Sequence, residues 1–264
     1  MAAPKILIGI PCDMLGAFRG FDASLHKMLE LRMDKLGVRD CEVFHAISGV
    51  VPAARNRIVR KALQVGAEYV WFLDDDQPFY PGTETKPSDL DRLLAHGLDA
   101  VLPLSPRRGP PFLPLLYNYI DESGWTTQRY LDDHEHGLVK IAGAGMAGLL
   151  IKTECFKKMG GDGWFEFFHP DDNPDDYSED FPFYRKLAKA GYQLYCDLDI
   201  PFGHATTTTA YIIKQEGKWF TLFADSEPFN MIPQLKHPMG FEKPTDVEAF
   251  KRDLDQRRAG GRRR

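Results

Sequence analysis

Between residues 5 and 104, strand-like apolar runs alternate with helix-like amphipathic stretches, and this alternation limits the fold more than any other feature of the chain. Lys5-Ile6-Leu7-Ile8-Gly9-Ile10 is a nearly continuous apolar run, the pattern of a strand buried on both faces, and Pro11 is expected to end it. Asp22 to Gly37 has helical periodicity, with Leu25, Met28, Leu29 and Leu36 on one side and Gly37 as a stop. Cys41 to Ile47 reads as a second strand. Pro52 to Leu63 reads as a helix that turns Ile58, Val59 and Ala62 inward, with Gly66 just beyond it. Tyr69-Val70-Trp71-Phe72-Leu73 is a third strand and runs directly into Asp74-Asp75-Asp76. Ser88-Asp89-Leu90-Asp91 opens a short helix with Leu90, Leu93 and Leu94 inside and Gly97 closing it, and Ala100 to Leu104 is the next strand. Such βαβα order with short connections predicts an α/β fold with a mostly parallel central sheet flanked by helices.

The second half is less regular and predicts a mixed sheet. Leu138 to Lys152 contains a glycine-rich apolar strand pair, Glu179 to Ala190 a helix, and Gly191 to Asp199 a later strand. Thr245-Asp246-Val247-Glu248 has the form of a capping box on a terminal helix with Val247, Phe250 and Leu254 on one face. The expected organisation is one domain over 1–258, with a first half 1–104, a second half 105–244 and a helix 245–258, followed by a disordered basic tail 259–264. An apolar content of 43% lets a chain of 264 residues bury one large core. The net charge of −5 gives no whole-surface case for nucleic-acid binding. Cys12, Cys41, Cys155 and Cys196 are scattered without C-x-x-C spacing and read as buried thiols. No signal peptide is recognised and no apolar run reaches the ~20 residues needed to cross a bilayer. The expectation is a cytoplasmic protein.

Five groups of residues carry chemistry. In a parallel sheet, ligands gather beyond the carboxyl ends of the strands, which is where Asp74 and Asp76 fall. Carboxylates one residue apart can turn toward one hard cation that bridges phosphate oxygens. An isolated D-x-D is also readable as a solvated acidic turn, and the buried strand before it weighs against that. Arg55 and Asn56, near a helix start, suit a nucleobase edge, ribose or diphosphate, or are surface polarity on an amphipathic helix. Ser178-Glu179-Asp180 opens a helix, where a carboxylate is either a general base or a cap. His204, after the late strand, is either structural or completes an O,O,N set with two carboxylates. Arg107 and Arg108, stiffened by Pro106, Pro110 and Pro111, are either a diphosphate or acceptor clamp or a solvated pair.

The ordered segments "ILIGIP", "ARNRIV", "YVWFLDDDQPFYPG", "GAGMAGLLIK", "SEDFPFYRKLAKAG" and "GHA" together resemble the GT-A-fold glycosyltransferases, closest to the family-two-like group of phage and bacterial enzymes. The resemblance covers residues 5 to 206. It implies a Rossmann-like GT-A fold with a nucleotide-sugar-binding first half and an acceptor-side second half. Asp74 and Asp76 would form the D-x-D motif, with Asp76 on the metal, Asp74 on ribose or metal, and Asp75 beside the donor. Arg55 and Asn56 would lie on the nucleotide, with Pro11 and Cys12 near its base. Asp180 matches the catalytic-base position of inverting members, with Glu179 beside the acceptor or diphosphate. His204 matches a late metal ligand, and Gly145 and Met146 line the sugar and acceptor pocket. The segment from Glu84 to Asp89 departs from the pattern as an insertion.

What the resemblance implies is transfer of a sugar from a nucleoside-diphosphate donor, UDP first among candidates, with Mn²⁺ or Mg²⁺ as cofactor. Asp180 would deprotonate the acceptor hydroxyl, although a helix start is expected to lower its pKa and weaken it as a base. The leading specific acceptor is 5-hydroxymethylcytosine in DNA, permitted by Arg107, Arg108 and the Arg262 to Arg264 tail. Glycan, lipid or protein acceptors are the alternatives. Outside this class stand a sugar nucleotidyltransferase, disfavoured because strand one ends in Pro-Cys-Asp-Met rather than a glycine-rich loop, and a nucleotide-sugar-binding protein without turnover.

Overall fold

The computed structural model describes residues 5–12, 19–109, 112–120, 126–167, 178–205, 209–223 and 230–233. The chain divides into two compact units, Met1–Gln234 and Leu235–Arg264. The second unit, which holds the expected terminal helix and basic tail, lies outside the described residues, as does the acidic stretch 171–176.

In order, the elements are β1 (Ile6–Cys12), α1 (Arg19–Leu36), β2 (Cys41–Ile47), α2 (Val51–Val65), β3 (Tyr69–Phe72), α3 (Asp89–Ala95) and β4 (Ala100–Leu104). There follow β5 (Leu116–Ile120), β6 (Thr126–Gln128), β7 (Leu138–Ile141), β8 (Gly143–Ala144), β9 (Leu150–Lys152) and α4 (Thr153–Met159). The last are α5 (Asp180–Lys189), β10 (Leu194–Pro201), β11 (His204–Ala205), β12 (Thr209–Gln215), β13 (Lys218–Phe223) and β14 (Asn230–Pro233).

A seven-stranded sheet runs in the order β2-β1-β3-β9-β4-β10-β7. β1 pairs in parallel with β2 and β3, and β4 with β10. β9 lies antiparallel between β3 and β4, and β7 antiparallel to β10. Five strands (β1, β2, β3, β4 and β10) therefore share one direction, and the mixed character comes from the second half. Side chains alternate across the sheet as strand geometry requires. Leu7, Val70, Phe72 and Leu102 pack with α2, α4 and α5 on one face. Ile6, Ile8, Trp71 and Val101 pack with α1 and α3 on the other. Smaller sheets, β11-β12-β13-β14 and β6-β5-β8, complete the unit.

Two expectations are corrected. Pro11 does not end β1, which continues to Cys12 alongside β2. Leu73 N donates to Gly9 O and Ser48 N to Cys12 O, so alternate residues face opposite neighbours. Pro11 therefore faces the β3 side, where the ladder has already ended at Gly9, and its missing N–H costs no bond. The apolar stretch from Leu138 to Lys152 is not a strand pair but three strands in two sheets. Gly148, at φ +78°, makes the turn that sends β9 between β3 and β4. A Cβ there would lie 2.3 Å from Pro103, so only glycine fits.

Gly9 has the same kind of role for the site. A Cβ on it would come within 2.2 Å of the Ile58 side chain, so its absence lets α2 lie close against β1. Ile58 is one helical turn beyond Arg55, so this contact fixes where Arg55 projects. Pro52 in the first turn and the left-handed Gly66 cap set the ends of α2.

Candidate active site

A cleft of about 660 Å³ opens where the five co-directional strands end. Pro11 and Cys12 come from the end of β1, Arg55 from α2, and Asp74, Asp75 and Asp76 from the segment after β3. Arg107 and Arg108 follow β4, Gly145 and Met146 lie between β8 and β9, Glu179 and Asp180 open α5, and His204 follows β10. The fold thus gathers residues from positions 11 to 204 into one concavity.

Asn56 is the exception. Its Nδ2 donates to Phe165 O at 2.8 Å and its Oδ1 accepts from Phe165 N at 3.0 Å. With both amide ends engaged, the buried Asn56 ties α2 to the chain before α5 and does not line the cleft. Sequence reasoning missed Ser48, Gly49, Gln77 and Ser105, all of which line it. Ser48 and Ser105 sit just beyond β2 and β4, so the strand-end rule that found Asp74 would have found them too.

The acidic triplet splits in two. Asp74 keeps the alternation of Val70 and Phe72 and faces α2, where Arg55 Nη2 reaches its Oδ1 at 3.4 Å. A tight turn follows, closed by Gln77 N donating to Asp74 O at 3.2 Å. It carries Asp76 toward β11, where Ala205 N donates to Asp76 O at 2.8 Å and His204 Nε2 lies 3.5 Å from Asp76 Oδ2. Asp74 and Asp76, expected to turn toward one ion, have different side-chain neighbours in this structure, Arg55 for the first and His204 and Arg108 for the second.

On the first wall, Arg55 is the hub. Its Nη1 donates to Asp180 Oδ1 at 2.7 Å and also contacts Glu179 Oε1. Burial alone would lower the Arg55 pKa, but Asp180, Asp74 and Glu179 outweigh it and hold the guanidinium firmly charged. One cation among three carboxylates leaves them under-compensated. Burial raises the Asp180 pKa to about 7 against the pull of Arg55, with Glu179 and Asp74 adding to the rise. Asp74 is raised too, by burial against the pull of Arg55, with Asp76 and Glu179 adding to the rise. The expectation that a helix start would lower Asp180 is overturned because burial dominates the helix dipole. Nor does Asp180 cap α5: the cap position is Glu179, no side-chain cap bond forms, and Asp180 N itself donates to Ser178 Oγ at 3.2 Å.

On the second wall, His204 Nδ1 donates to Pro106 O at 2.8 Å, which leaves Nε2 directed at Asp76. Arg108 bonds to Asp76 Oδ2 through one terminal nitrogen and to His204 Nε2 through its Nε at 3.3 Å. Burial would raise the Asp76 pKa, yet His204 and Arg108 bring it below its ordinary value. Burial would lower that of His204, but Asp76 and the Pro106 carbonyl raise it.

Among the described residues, no three His, Cys, Asp or Glu side chains converge as a closed metal site. The buried Asp76 and His204 do offer an oxygen and a nitrogen within 3.5 Å of each other. Mn²⁺ and Mg²⁺ are commonly held by one or two protein ligands completed by substrate phosphates. The pair fits a divalent cation in that open form. The charge balance agrees: among the described residues five carboxylates line the cleft against three arginines, an unfavourable entrance for a diphosphate unless a further cation joins it.

No protein-family model matches the chain, and no curated protein matches its sequence. Among solved structures the chain is similar to A197 from STIV, with a TM-score of 0.50, 15% identity, and coverage of 90% of this chain and 98% of that one. A Drosophila β-1,4-galactosyltransferase 7 mutant, in complex with manganese, UDP-Gal and xylobiose, gives 0.40 at 15% identity over 76% of this chain and 71% of that one. A UDP-glucose pyrophosphorylase complexed with UDP-glucose also gives 0.40, at 9% identity over 74% of this chain and 90% of that one. The last two likenesses are too distant to carry an argument. The first, at its low identity, speaks to fold alone, and that fold is a mixed α/β architecture around a mostly parallel sheet.

Proposed function

We propose that the chain is a divalent-metal-dependent glycosyltransferase that moves a sugar from a nucleoside-diphosphate donor to an acceptor hydroxyl. The observation that carries this reading is the pairing of two unlike walls in one cleft. Asp76, His204, Arg107 and Arg108 form a wall suited to a cation and its phosphates, and Asp180, whose pKa burial raises to about 7, stands on the other. A nucleotide in this cleft would extend from the ends of β1 and β2, at Pro11, Cys12 and Ser48, toward the arginines. Residues 1–104 would then supply the donor half and 105–244 the acceptor half.

Asp180 takes the proton of the acceptor hydroxyl as its oxygen bonds to the anomeric carbon. The bond from that carbon to the diphosphate breaks, and the electron pair leaves with the nucleoside diphosphate. Arg107 and Arg108 lie where negative charge then accumulates. A divalent cation held by Asp76 and His204 would supply further electrostatic stabilisation to the departing phosphates. A single displacement of this kind inverts the anomeric centre.

UDP is the donor nucleotide favoured by the resemblance in sequence, and 5-hydroxymethylcytosine in DNA is the specific acceptor put forward. The test is a mass-spectrometric screen of UDP-sugars with Mn²⁺ against hydroxymethylated DNA, glycans, lipids and proteins. Transfer with an inverted product is expected. Formation of a nucleotide sugar from a sugar phosphate and a nucleoside triphosphate would replace this reading with a nucleotidyltransferase, and binding without transfer or hydrolysis would leave only a binding protein.

A further inference from the structure

Arg108 belongs to the antiparallel connection between β4 and β5, whose described residues Ser105, Arg107, Arg108 and Leu115 line the cleft. Arg107 N donates to Leu113 O at 2.8 Å, Leu115 N donates to Ser105 O at 2.9 Å, and Pro106 bridges Pro114. The hairpin is anchored in this way from the end of β4 to the start of β5. Its arginines reach down into the cleft. Arg107 is left exposed, whereas Arg108 spans from solvent to the buried Asp76 carboxylate.

The point Arg108 reaches is a built cation position. Asp76 is 3% exposed and His204 7% exposed. The imidazole is oriented by Pro106, which belongs to the same hairpin, and a neutral ring with a hydrogen on Nδ1 carries its lone pair on Nε2. The carboxylate oxygen and the imidazole Nε2 converge, and the guanidinium donates to both. A divalent cation needs the same two lone pairs. The guanidinium and the ion cannot share them.

We infer that Arg108 is a tethered cation that occupies the Asp76–His204 position until a divalent ion displaces it, and that the two compete for one site. This rests on the metal-dependent reading above and adds to it a role for a specific residue. The device keeps a buried carboxylate neutralised when no donor is present. It also times the release of an arginine: once freed from Asp76, Arg108 becomes available to a diphosphate that arrives with the ion. The hairpin supplies the reach, because Pro106 stays on His204 while the Arg108 side chain, 67% exposed, can swing without unfolding it.

The test is calorimetric or EPR titration of the nucleotide-free full-length protein with MnCl₂. Wild type, Arg108→Ala and Arg107→Ala are compared, the last removing an equal charge from the same cleft without touching Asp76. Arg108→Ala is expected to bind Mn²⁺ about 3- to 10-fold more tightly than wild type, the range opened by removing one competing ion pair whose arginine is largely exposed. Arg107→Ala should tighten it much less. Equal affinity in wild type and Arg108→Ala overturns the competition and leaves the metal reading intact. Equal tightening by both variants also overturns it, since net charge alone would then account for the effect. The titration is repeated with UDP present: Mn²⁺ binding that appears only with UDP and is equal in wild type and Arg108→Ala overturns the inference alone, and absence of binding in all three proteins with and without UDP removes the metal reading and this inference together.

Discussion

Arg55 Nη1 donates to Asp180 Oδ1 at 2.7 Å, joining the middle of the cleft wall to the first residue of α5 across 125 positions of sequence. The contact decides what each residue can do. Arg55 is 4% exposed and both its terminal nitrogens are engaged by carboxylates, so it holds the proposed base in place, while among the described residues its buried Nε makes no hydrogen bond. Asp180 lines the cleft with its Oδ1 fixed by that contact.

Replacing Arg55 by Ala should therefore act first on the fold. It strands Asp74, Glu179 and Asp180 without their shared counterion, and breaking a buried ion pair by removing one partner costs about 3–5 kcal/mol. Thermal or urea unfolding should show a loss of that size. A variant with unchanged stability that only weakens UDP binding would return Arg55 to the donor site.

Asp180→Asn separates chemistry from structure. Asn can still accept from Arg55 but cannot take a proton, so transfer should fall about 10²–10⁴-fold, the usual contribution of a positioned base. The melting temperature should barely move, because no cap bond is lost. The ionised base forms only as pH rises past the raised pKa of about 7. The wild-type rate should accordingly climb with pH below about 7 and level above it, and the residual rate of the variant should lack this limb. Near-normal turnover in Asp180→Asn would end its assignment as base.

Much of this arrangement is legible in the sequence, and the part that is not has a common cause. The apolar runs at Tyr69 and Ala100 announce buried strands, and the strand-end rule places Asp74 and Asp76 beyond the sheet without coordinates, whereas Asp180 is reached only through its helix start and the resemblance. The partnerships of those residues do not follow. Asp74 and Asp76 are two positions apart, yet a tight turn sends one to α2 and the other to β11. Asn56 stands beside Arg55, but one step along a helix rotates a side chain by about 100°, and that carries it to Phe165. Burial likewise reverses the direction expected for Asp180 from its helix position alone. Long-range packing sets each of these, and periodicity says nothing about it.

The segment from Glu84 to Asp89, which departs from the family pattern, is anchored by a buried carboxyl with its own signature. Tyr80 N donates to Asp89 Oδ2 at 2.7 Å, Oδ1 makes no hydrogen bond, and Arg92 stands 3.6 Å away. Burial raises the Asp89 pKa from 3.8 to about 6, opposed by the Tyr80 N–H and Arg92. The folded state thus holds this proton more tightly than the unfolded chain. The stability it contributes is fully present below about pH 4 and is lost as pH rises through about 6. Asp89→Asn, which cannot ionise, should flatten the fall in unfolding free energy across that window by about 2–3 kcal/mol. Parallel pH-stability curves for variant and wild type would show that Asp89 ionises freely in the folded state.

The metal dependence of turnover gives the most direct check on the second wall. If Asp76 and His204 hold a phosphate-bound cation, EDTA should abolish transfer and Mn²⁺ should restore it, with Mg²⁺ as the other cation suited to the pair. Asp76→Ala should lose most activity and no longer respond to added Mn²⁺. Its fold should survive, because the hydrogen bond from Ala205 N to the Asp76 backbone carbonyl still ties β11 to the acidic turn when the side-chain contact with His204 is lost. His204→Ala should weaken Mn²⁺ binding while leaving Asp180 and its pH limb in place, since the two walls do not share a hydrogen bond among the described contacts. Asp74→Asn should differ from both. Its carboxylate serves Arg55, so its loss should disturb the Asp180 pKa and shift the pH limb to lower pH, because one of the charges that raise it has gone. Full activity in EDTA, or an Asp74→Asn variant that loses Mn²⁺ binding as completely as Asp76→Ala, would contradict this division of the acidic triplet.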